Sequence, residues 1–236
     1  MTRLRKYLNE RKSMYMAGIT FVDIDSTLFF TFAKVIVRNK VTNKEITELD
    51  NQQFNSYQLK DDEYFDFHQF KDAKFFRETS IPIQRTVDRV NKMISQIKKN
   101  KSNSKVIFLT ARVDFDDKNE LLKKFKEHGI DTDFKSNVYI ERAGNENTGV
   151  TEKNKEIVIM RYLKDGIYRR VRMIDDYKPN LSTFLSIAKK MPDNIINSIR
   201  EISNIPENSD EPVMEFYALY IDDKGKLSLY GKEEVR

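Results

Sequence analysis

The chain of 236 residues contains no cysteine and only two histidines, His68 and His128. Without cysteine there are no disulfide bonds or thiolate metal sites, and a cytoplasmic location is favoured because disulfides belong to oxidising compartments. Two histidines are too few for a zinc centre built from several imidazoles. Hydrophobic residues make up 39% and charged residues 33%, a balance typical of a globular protein rather than a disordered one.

A long uninterrupted apolar run is also missing. The most apolar stretch, residues 19–37, is broken by Asp23, Asp25 and Lys34, so we expect no transmembrane segment and no membrane partner. Residues 1–16 are rich in arginine and lysine, and no apolar signal-peptide region follows them before the first candidate strand. We therefore interpret residues 1–16 as a basic, solvated N-terminal extension.

Charge is distributed unevenly along the chain. The formal net charge is +5, yet residues 45–78 hold nine acidic and four basic side chains. A basic body beside an acidic insertion fits an anionic substrate, because clustered lysine and arginine attract phosphate groups. The pattern does not by itself require a nucleic acid. The abundance of lysine, asparagine and isoleucine resembles the composition of large tailed phages or AT-rich bacteria, so the cytoplasm in question is that of the cell or of an infected host.

Three short segments are apolar on consecutive residues, which is typical of strands buried on both faces of a parallel sheet. They are residues 18–24 (Gly-Ile-Thr-Phe-Val-Asp-Ile), 105–110 (Lys-Val-Ile-Phe-Leu-Thr) and 171–176 (Val-Arg-Met-Ile-Asp-Asp). Each segment has polar residues at its carboxyl end. In an open α/β sheet, ligands bind at the carboxyl ends of the strands, so these polar clusters are the first candidates for a functional site.

Amphipathic helical patterns alternate with the strands. Apolar residues recur at three- and four-residue steps, and Thr151 is a candidate N-cap for one of the helices. The alternation predicts an α/β fold with a doubly wound, mainly parallel sheet of the Rossmann type. The predicted helices span residues 82–99, 117–128, 151–164, 181–190 and 193–203.

The predicted strands and helices divide the chain into a core and additions. Residues 17–33 and 81–205 form the predicted core. Residues 34–80 break the alternation of strands and helices, and we predict that they form a small helical cap inserted after the first strand. The aromatic residues of this insertion are expected to form a small hydrophobic core rather than a platform for stacked nucleobases. Residues 206–236 are predicted to form a C-terminal β-hairpin extension that turns at Asp222-Asp-Lys-Gly.

Four short motifs follow in order along the predicted core. Asp23-Ile-Asp-Ser-Thr follows the first strand and Thr110-Ala-Arg ends the second, while Lys153 or Lys155 opens a helix and Asp175-Asp176 ends the third strand. This set resembles the haloacid dehalogenase superfamily, across about residues 17 to 190. It is similar in particular to the nucleotidases and the polynucleotide 3′-phosphatases of that superfamily.

The resemblance implies a role for each motif residue. Asp23 is the nucleophile, and Asp25 is the acid and base that separates phosphatases from true dehalogenases. Thr110 donates hydrogen bonds to the phosphoryl oxygens, and Ala111 and Arg112 beside it are candidate substrate-binding residues. For Arg112 two interpretations stay open, a substrate or phosphate contact and a surface ion pair. The motif lysine neutralises charge, and Lys155 is preferred over Lys153 because apolar residues follow it closely. Magnesium is the implied cofactor, and its ligands are Asp23, the backbone carbonyl of Asp25 and Asp176, with Asp175 supporting them from behind.

The residues and the resemblance together predict a Mg²⁺-dependent phosphomonoesterase with an aspartyl-phosphate intermediate. The expected partner is a small phosphorylated substrate, a nucleotide, and oligomeric state is left open. Three alternatives remain: a polynucleotide 3′-phosphatase, a phosphotransferase that uses the same intermediate, and an inactive binding or structural module on the same fold.

Overall fold

The computed structural model describes residues 17–236 as an α/β fold built on a six-stranded sheet. The predicted extension over residues 1–16 lies outside the described residues. The strand order is β11-β10-β9-β1-β7-β8, and every neighbouring pair is parallel except β10 and β11. The strands are β1 (Ala17–Val22), β7 (Lys105–Thr110), β8 (Val138–Arg142), β9 (Tyr168–Asp175), β10 (Met214–Ile221) and β11 (Leu227–Val235).

Helices cover both faces of this sheet, as the predicted fold requires. One face packs against α4 and α5, and the other packs against α6, α7 and α8. Because β1 and β7 are apolar on consecutive residues, they feed both of these hydrophobic cores, and they lie side by side in the middle of the sheet. The helices are α4 (Gln84–Asn100), α5 (Lys118–Glu127), α6 (Thr151–Leu163), α7 (Lys178–Ile187) and α8 (Asp193–Ser203).

The five predicted core helices are confirmed, with small differences at their ends. Asp117 caps α5, because its carboxylate accepts hydrogen bonds from the amides of Asn119 and Glu120. The expectation that Thr151 caps α6 is wrong, because Thr151 is the first helical residue and Val150 occupies the cap position without a side-chain bond. α7 begins at Lys178, earlier than predicted, with a proline in its first turn.

The predicted C-terminal hairpin is present and forms part of the central sheet. Strands β10 and β11 are antiparallel, and the turn between them has Gly225 at a positive φ of 71°. β10 also pairs in parallel with β9 over residues 215–220. The hairpin therefore extends the sheet and encloses β9 between two neighbours.

The inserted segment, expected to be a small helical cap, contains an antiparallel sheet as well as helices. Three strands pair in the order β4-β3-β5, and Val35 and Val37 of the middle strand are buried under a cluster of aromatic side chains. The β-branched run at residues 35–37 favours this strand. The elements are β3 (Val35–Asn39), β4 (Glu45–Leu49), α1 (Asn51–Ser56), β5 (Glu63–Asp66), α2 (His68–Lys71) and α3 (Ala73–Thr79).

The insertion returns to the core beside the carboxyl end of β7. The amide of Asp116 donates to the carbonyl of Lys71 at 2.9 Å, and the carboxylate of Asp116 accepts from the amide of Ala73 at 2.9 Å. A two-stranded ladder of β2 (Phe29–Phe30) and β6 (Ile81–Pro82) closes its base. Among residues 17–236, no helix combines the length and the apolar character needed to cross a bilayer.

Candidate active site

The loop that follows β1 places two aspartates at the carboxyl edge of the sheet. Asp23 is buried, and its amide donates to the carbonyl of Ile174 in β9 at 2.9 Å. The chain then turns through Ser26, which has a positive φ of 56°, a region that residues other than glycine seldom occupy. The amide of Ser26 donates to the carbonyl of Phe29 at 2.8 Å and closes this turn. The carboxylates of Asp23 and Asp25 before this turn face different partners, Lys155 and Arg112.

Lys155 connects the first strand to the third. Its ammonium donates to Asp23 Oδ1 at 2.6 Å and to Asp175 Oδ2 at 2.8 Å, and all three side chains are buried. Burial opposes the charge of Lys155, but the attraction of Asp175 and Asp23 outweighs it and raises its pKa. Lys153, the alternative in the same helix, is exposed and pairs with Glu156. Lys155 is therefore the lysine that the fold brings to the acidic cluster.

Three carboxylates at this edge form a candidate metal site. Oxygen atoms of Asp23, Asp175 and Asp176 all lie within 4.8 Å of one another. Thr27 donates to Asp176 at 3.1 Å, and Asn180 donates to both oxygens of Asp175 at 3.0 Å. Carboxylate oxygens are the ligands that Mg²⁺ prefers, so the donor set fits this ion. Lys155 and Asn180 bind the carboxylate of Asp175 and fix its position. The carboxylate of Asp176 lies near that of Asp23.

The pKa values of Asp23 and Asp176 are both raised in this cluster. Burial raises the pKa of Asp23 well above its usual value in spite of the lowering effect of Lys155, and the charges of the neighbouring acids raise it further. Burial and the charge of Asp175 raise the pKa of Asp176 to about 6. One lysine therefore does not compensate for the whole cluster. A divalent cation beside these carboxylates would favour their ionised forms.

Asp25 has a different environment, dominated by Arg112. Arg112 Nη2 donates to Asp25 Oδ1 at 2.6 Å and Arg112 Nε donates to Oδ2 at 2.9 Å, a two-pronged pairing. Thr31 and Thr110 donate to the same carboxylate at 2.8 and 3.2 Å. Burial opposes ionisation of Asp25, but these donors outweigh it and lower its pKa. Asp25 is therefore held as a carboxylate.

Arg112 also contacts the insertion, which makes it a link between two parts of the fold. Its side chain is 2% exposed, and its Nη1 atom donates to the carbonyl of Phe70 at 2.8 Å. The guanidinium lies about 5 Å from the ring centres of Phe70, Phe76 and Phe115. Of the two interpretations left open by the sequence, substrate contact or surface ion pair, the structure shows an ion pair, and it is buried.

The remaining predicted site residues lie around this loop. Thr110 is fully buried at the end of β7, where its hydroxyl accepts from the amide of Arg112 at 3.1 Å and donates to Asp25. Ala111 is exposed in the turn between them. The sequence predicted no role for Thr31, because this residue lies outside the four motifs. Thr27 is the threonine of the Asp-x-Asp-x-Thr signature, and that position could have indicated its role at the site.

Gly144 supports the site from outside it. It is the second residue of the short 3₁₀ helix at Ala143–Glu146, and its amide donates to the carbonyl of Arg112 at 3.3 Å. A Cβ atom at this position would lie 2.8 Å from the carbonyl oxygen of Arg112 and would also overlap the carbonyl of Ala111. Only glycine allows the backbone to approach the 110–112 turn this closely.

No family model matches the chain, and neither the curated proteins nor the solved structures gave a significant match. The geometry of this edge of the sheet is therefore the basis for assigning a function.

Proposed function

We propose that the protein is a Mg²⁺-dependent phosphomonoesterase of the haloacid dehalogenase type, with Asp23 as its nucleophile. The observation that carries this proposal is the pair of bonds from Lys155 to Asp23 and Asp175. They join three motifs that are far apart in the sequence into one cluster at the carboxyl ends of neighbouring parallel strands. Asp25 and Thr110 lie at the same edge, as the family resemblance implies.

The first chemical step belongs to Asp23. Its carboxylate oxygen attacks phosphorus, a bond forms between them, and the bond from phosphorus to the leaving oxygen breaks. Lys155 neutralises the negative charge of the attacking carboxylate and of the phosphoryl oxygens. The residues suited to hold Mg²⁺ are Asp23, Asp176 and the backbone carbonyl of Asp25. When bound, Mg²⁺ supplies positive charge that favours the ionised carboxylates and the developing transition-state charge.

In the second step Asp25 is the base that takes a proton from water. The water oxygen bonds to the phosphorus of the aspartyl-phosphate as the bond from phosphorus to the Asp23 oxygen breaks, which releases phosphate and regenerates the Asp23 carboxylate. The pairing of Asp25 with Arg112 suits this role because it keeps the Asp25 carboxylate ionised. The first step, by contrast, needs a proton on Asp25 for the leaving oxygen. We therefore propose that one N–H group of the Arg112 guanidinium leaves Asp25 and donates to the incoming phosphoryl oxygens. The weaker pairing allows Asp25 to carry that proton.

The proposed substrate is a small phosphate monoester, with a nucleotide as the leading class. The insertion contacts the 110–116 loop through Phe70, Lys71 and Ala73, so it lies beside the edge where the reaction takes place. Residues 45–78 of this insertion carry an excess of acidic side chains, which disfavours a polynucleotide along that surface. The absence of cysteine favours a cytoplasmic location for the enzyme.

The decisive experiment measures phosphate release from a panel of monoesters, with and without Mg²⁺, by the wild type and Asp23→Asn. Asp223→Asn, an exposed position in the hairpin turn, is the matched control. We expect turnover that requires Mg²⁺, is lost in Asp23→Asn and is retained in Asp223→Asn. Mass spectrometry after an acid quench should detect a phosphorylated chain in the wild type and none in Asp23→Asn.

The panel also separates the alternatives. It contains nucleoside 5′- and 3′-monophosphates, sugar phosphates and a 3′-phosphorylated oligonucleotide, and the last substrate tests the polynucleotide activity. A phosphorylated chain that releases phosphate only to an added alcohol would identify a phosphotransferase. Folded wild-type protein that binds Mg²⁺ but attacks none of these substrates would overturn the enzymatic proposal in favour of a binding module.

A further inference from the structure

A cavity lies at the edge of the sheet opposite the candidate active site. It consists of two adjoining spaces of about 380 and 390 Å³, which share Gly18, Ser104 and Arg172 in their walls. These residues belong to the amino-terminal half of β1, the residue before β7 and the middle of β9. The catalytic proposal uses none of them.

The cavity exists because β1 has little side-chain volume there. Gly18 pairs with Arg170 and Thr20 pairs with Arg172 in the neighbouring strand. Two small residues on β1 leave a gap beneath α4, and the helix lines the gap with Met93 and Ile97. The amide of Gly18 donates to the hydroxyl of Ser104 at 2.9 Å, which fixes the floor of the gap.

Arg172 extends into this gap without a partner. It lies on the face of β9 that α4 covers, because Val171 and Met173 on either side of it belong to the opposite core. Arg172 is partly buried, yet it forms no hydrogen bond and no ion pair with any other residue between 17 and 236. A guanidinium has five N–H donors, so an unpaired and half-buried one is an unusual feature of a fold.

Positive charge accumulates around Arg172. Burial lowers its pKa, and the charges of Arg170 and Arg89 lower it further. The nearest acid, Glu215, is already engaged by Lys232 at 2.8 Å and by the hydroxyl of Tyr217 at 2.8 Å. Its distance to Arg170 is 3.7 Å, so it binds that arginine loosely. The other carboxylate in the cavity wall, Glu211, pairs with Arg169 at 2.9 Å, so neither acid forms an ion pair with Arg172.

We propose that this cavity, which we call the basic cavity, binds a phosphate-bearing small molecule, with its phosphate on Arg172 and Arg170. Arginine forks match phosphate oxygens in pairs, and an anion would relieve the repulsion between the guanidiniums. Met93 and Ile97 give the organic part of the ligand an apolar wall. The basic cavity does not include Asp23, so this proposal does not depend on the proposed enzymatic function.

The test is a titration of the full chain, labelled on isoleucine and methionine methyl groups, followed by NMR. The background is Asp23→Asn without Mg²⁺, which prevents turnover, and the probes are inorganic phosphate and adenosine 5′-monophosphate. Met93 and Ile97 report on the basic cavity, while Ile24 and Ile174 report on the candidate active site. We expect saturable shifts of Met93 and Ile97 with both probes. Tighter binding of the nucleotide would identify a nucleotide site, and equal binding would identify a site for the phosphate group alone.

A matched pair of variants decides whether Arg172 is responsible. Arg172→Gln should weaken the cavity affinity about tenfold or more, the effect of losing a charge-assisted hydrogen bond. Arg85→Gln removes an equal charge from the exposed face of α4 and should change the affinity less than about twofold. If Arg172→Gln does not fold, Arg172→Lys replaces it and should show the same direction. Shifts confined to Ile24 and Ile174, or equal effects of the Arg172 and Arg85 variants, would overturn the proposal.

Discussion

The ammonium nitrogen of Lys155 lies 2.6 Å from Oδ1 of Asp23, although 132 positions separate the two residues in the sequence. The same nitrogen donates to Asp175 at 2.8 Å. Within residues 17–236, neither acid has another cationic partner. One lysine therefore serves both the stability of the core and the proposed chemistry, and its removal affects both.

Lys155→Met should lower the free energy of unfolding by about 3 kcal/mol, because it leaves two buried carboxylates without a cation. Phosphatase activity should fall at least about a hundredfold, as expected when charge stabilisation at the reacting group is lost. Urea unfolding and a Mg²⁺-dependent assay measure the two effects. Lys153→Met, on the exposed side of the same helix, should stay within about 0.5 kcal/mol of the wild type. Equal losses in the two variants would refute the assignment of Lys155.

Asp176 should make the metal-free protein less stable as the pH rises. Its folded pKa of about 6 lies above the usual 3.8, so its contribution is full below about pH 4 and is lost as the pH rises through about 6. Asp176→Asn should therefore stabilise the metal-free chain at neutral pH by on the order of 2 kcal/mol, and should have little effect near pH 4.

Urea unfolding with a chelator, at about pH 4 and pH 7, measures this difference. Asp223→Asn is the control, since Asp223 is exposed in the hairpin turn. Saturating Mg²⁺ should reverse the ranking at neutral pH, because the ion stabilises the wild type through a ligand that the variant lacks. If Asp176→Asn were less stable than the wild type at pH 7 with the chelator, the ionised Asp176 would not destabilise the metal-free fold, and the prediction would be wrong.

Arg112→Lys should lower kcat about tenfold to a hundredfold, because lysine keeps the charge but lacks the fork that orients Asp25. The loss should be larger for alkyl phosphates than for aryl phosphates, whose leaving oxygens need less protonation. Arg85→Lys, on the surface of α4, provides the control. A rise in KM alone, with kcat unchanged, would indicate that Arg112 only binds the substrate and does not position Asp25.

Gly144→Ala should reduce kcat/KM about tenfold and stability by about 1–3 kcal/mol, because the added methyl group displaces the 110–112 turn. Gly231→Ala is the matched control, since the group it meets is the end of the flexible Leu185 side chain. Kinetics and thermal unfolding of the two variants measure the difference. Unchanged kinetics in Gly144→Ala would show that the turn tolerates displacement without consequence for the site.

The sequence was sufficient to predict the central layout of the fold. Strands β1 and β7 are buried on both faces, so their apolar residues are consecutive and their pattern is clear. In β9 the same pattern is confined to its buried carboxyl end, where Met173 and Ile174 precede Asp175. β8 was not predicted, because this edge strand is largely half-exposed and mixes apolar with charged residues. The antiparallel strands of the insertion were missed for a similar reason, since β4 has one buried residue among five.

The sequence predicted which motifs occur at the candidate site, and it could not predict their pairings. Chain order and strand ends were enough to expect Asp23, Thr110 and Asp175 at one edge of the sheet. The pairing of Arg112 with Asp25 depends on side-chain rotamers and on the carbonyl of Phe70, which no local pattern encodes. The basic cavity likewise depends on the register that places Gly18 and Thr20 beside β9.

The C-terminal hairpin has a consequence for aggregation. Because β10 covers one side of β9, the backbone of the strand that carries Asp175 has no free edge. An uncovered β9 would offer its amides and carbonyls to a strand from another molecule, which is a common route to aggregates. The hairpin replaces that edge with β11, where Lys232, Glu233 and Glu234 make strand addition unfavourable. The same two strands that complete the sheet thus protect the chain against self-association during refolding.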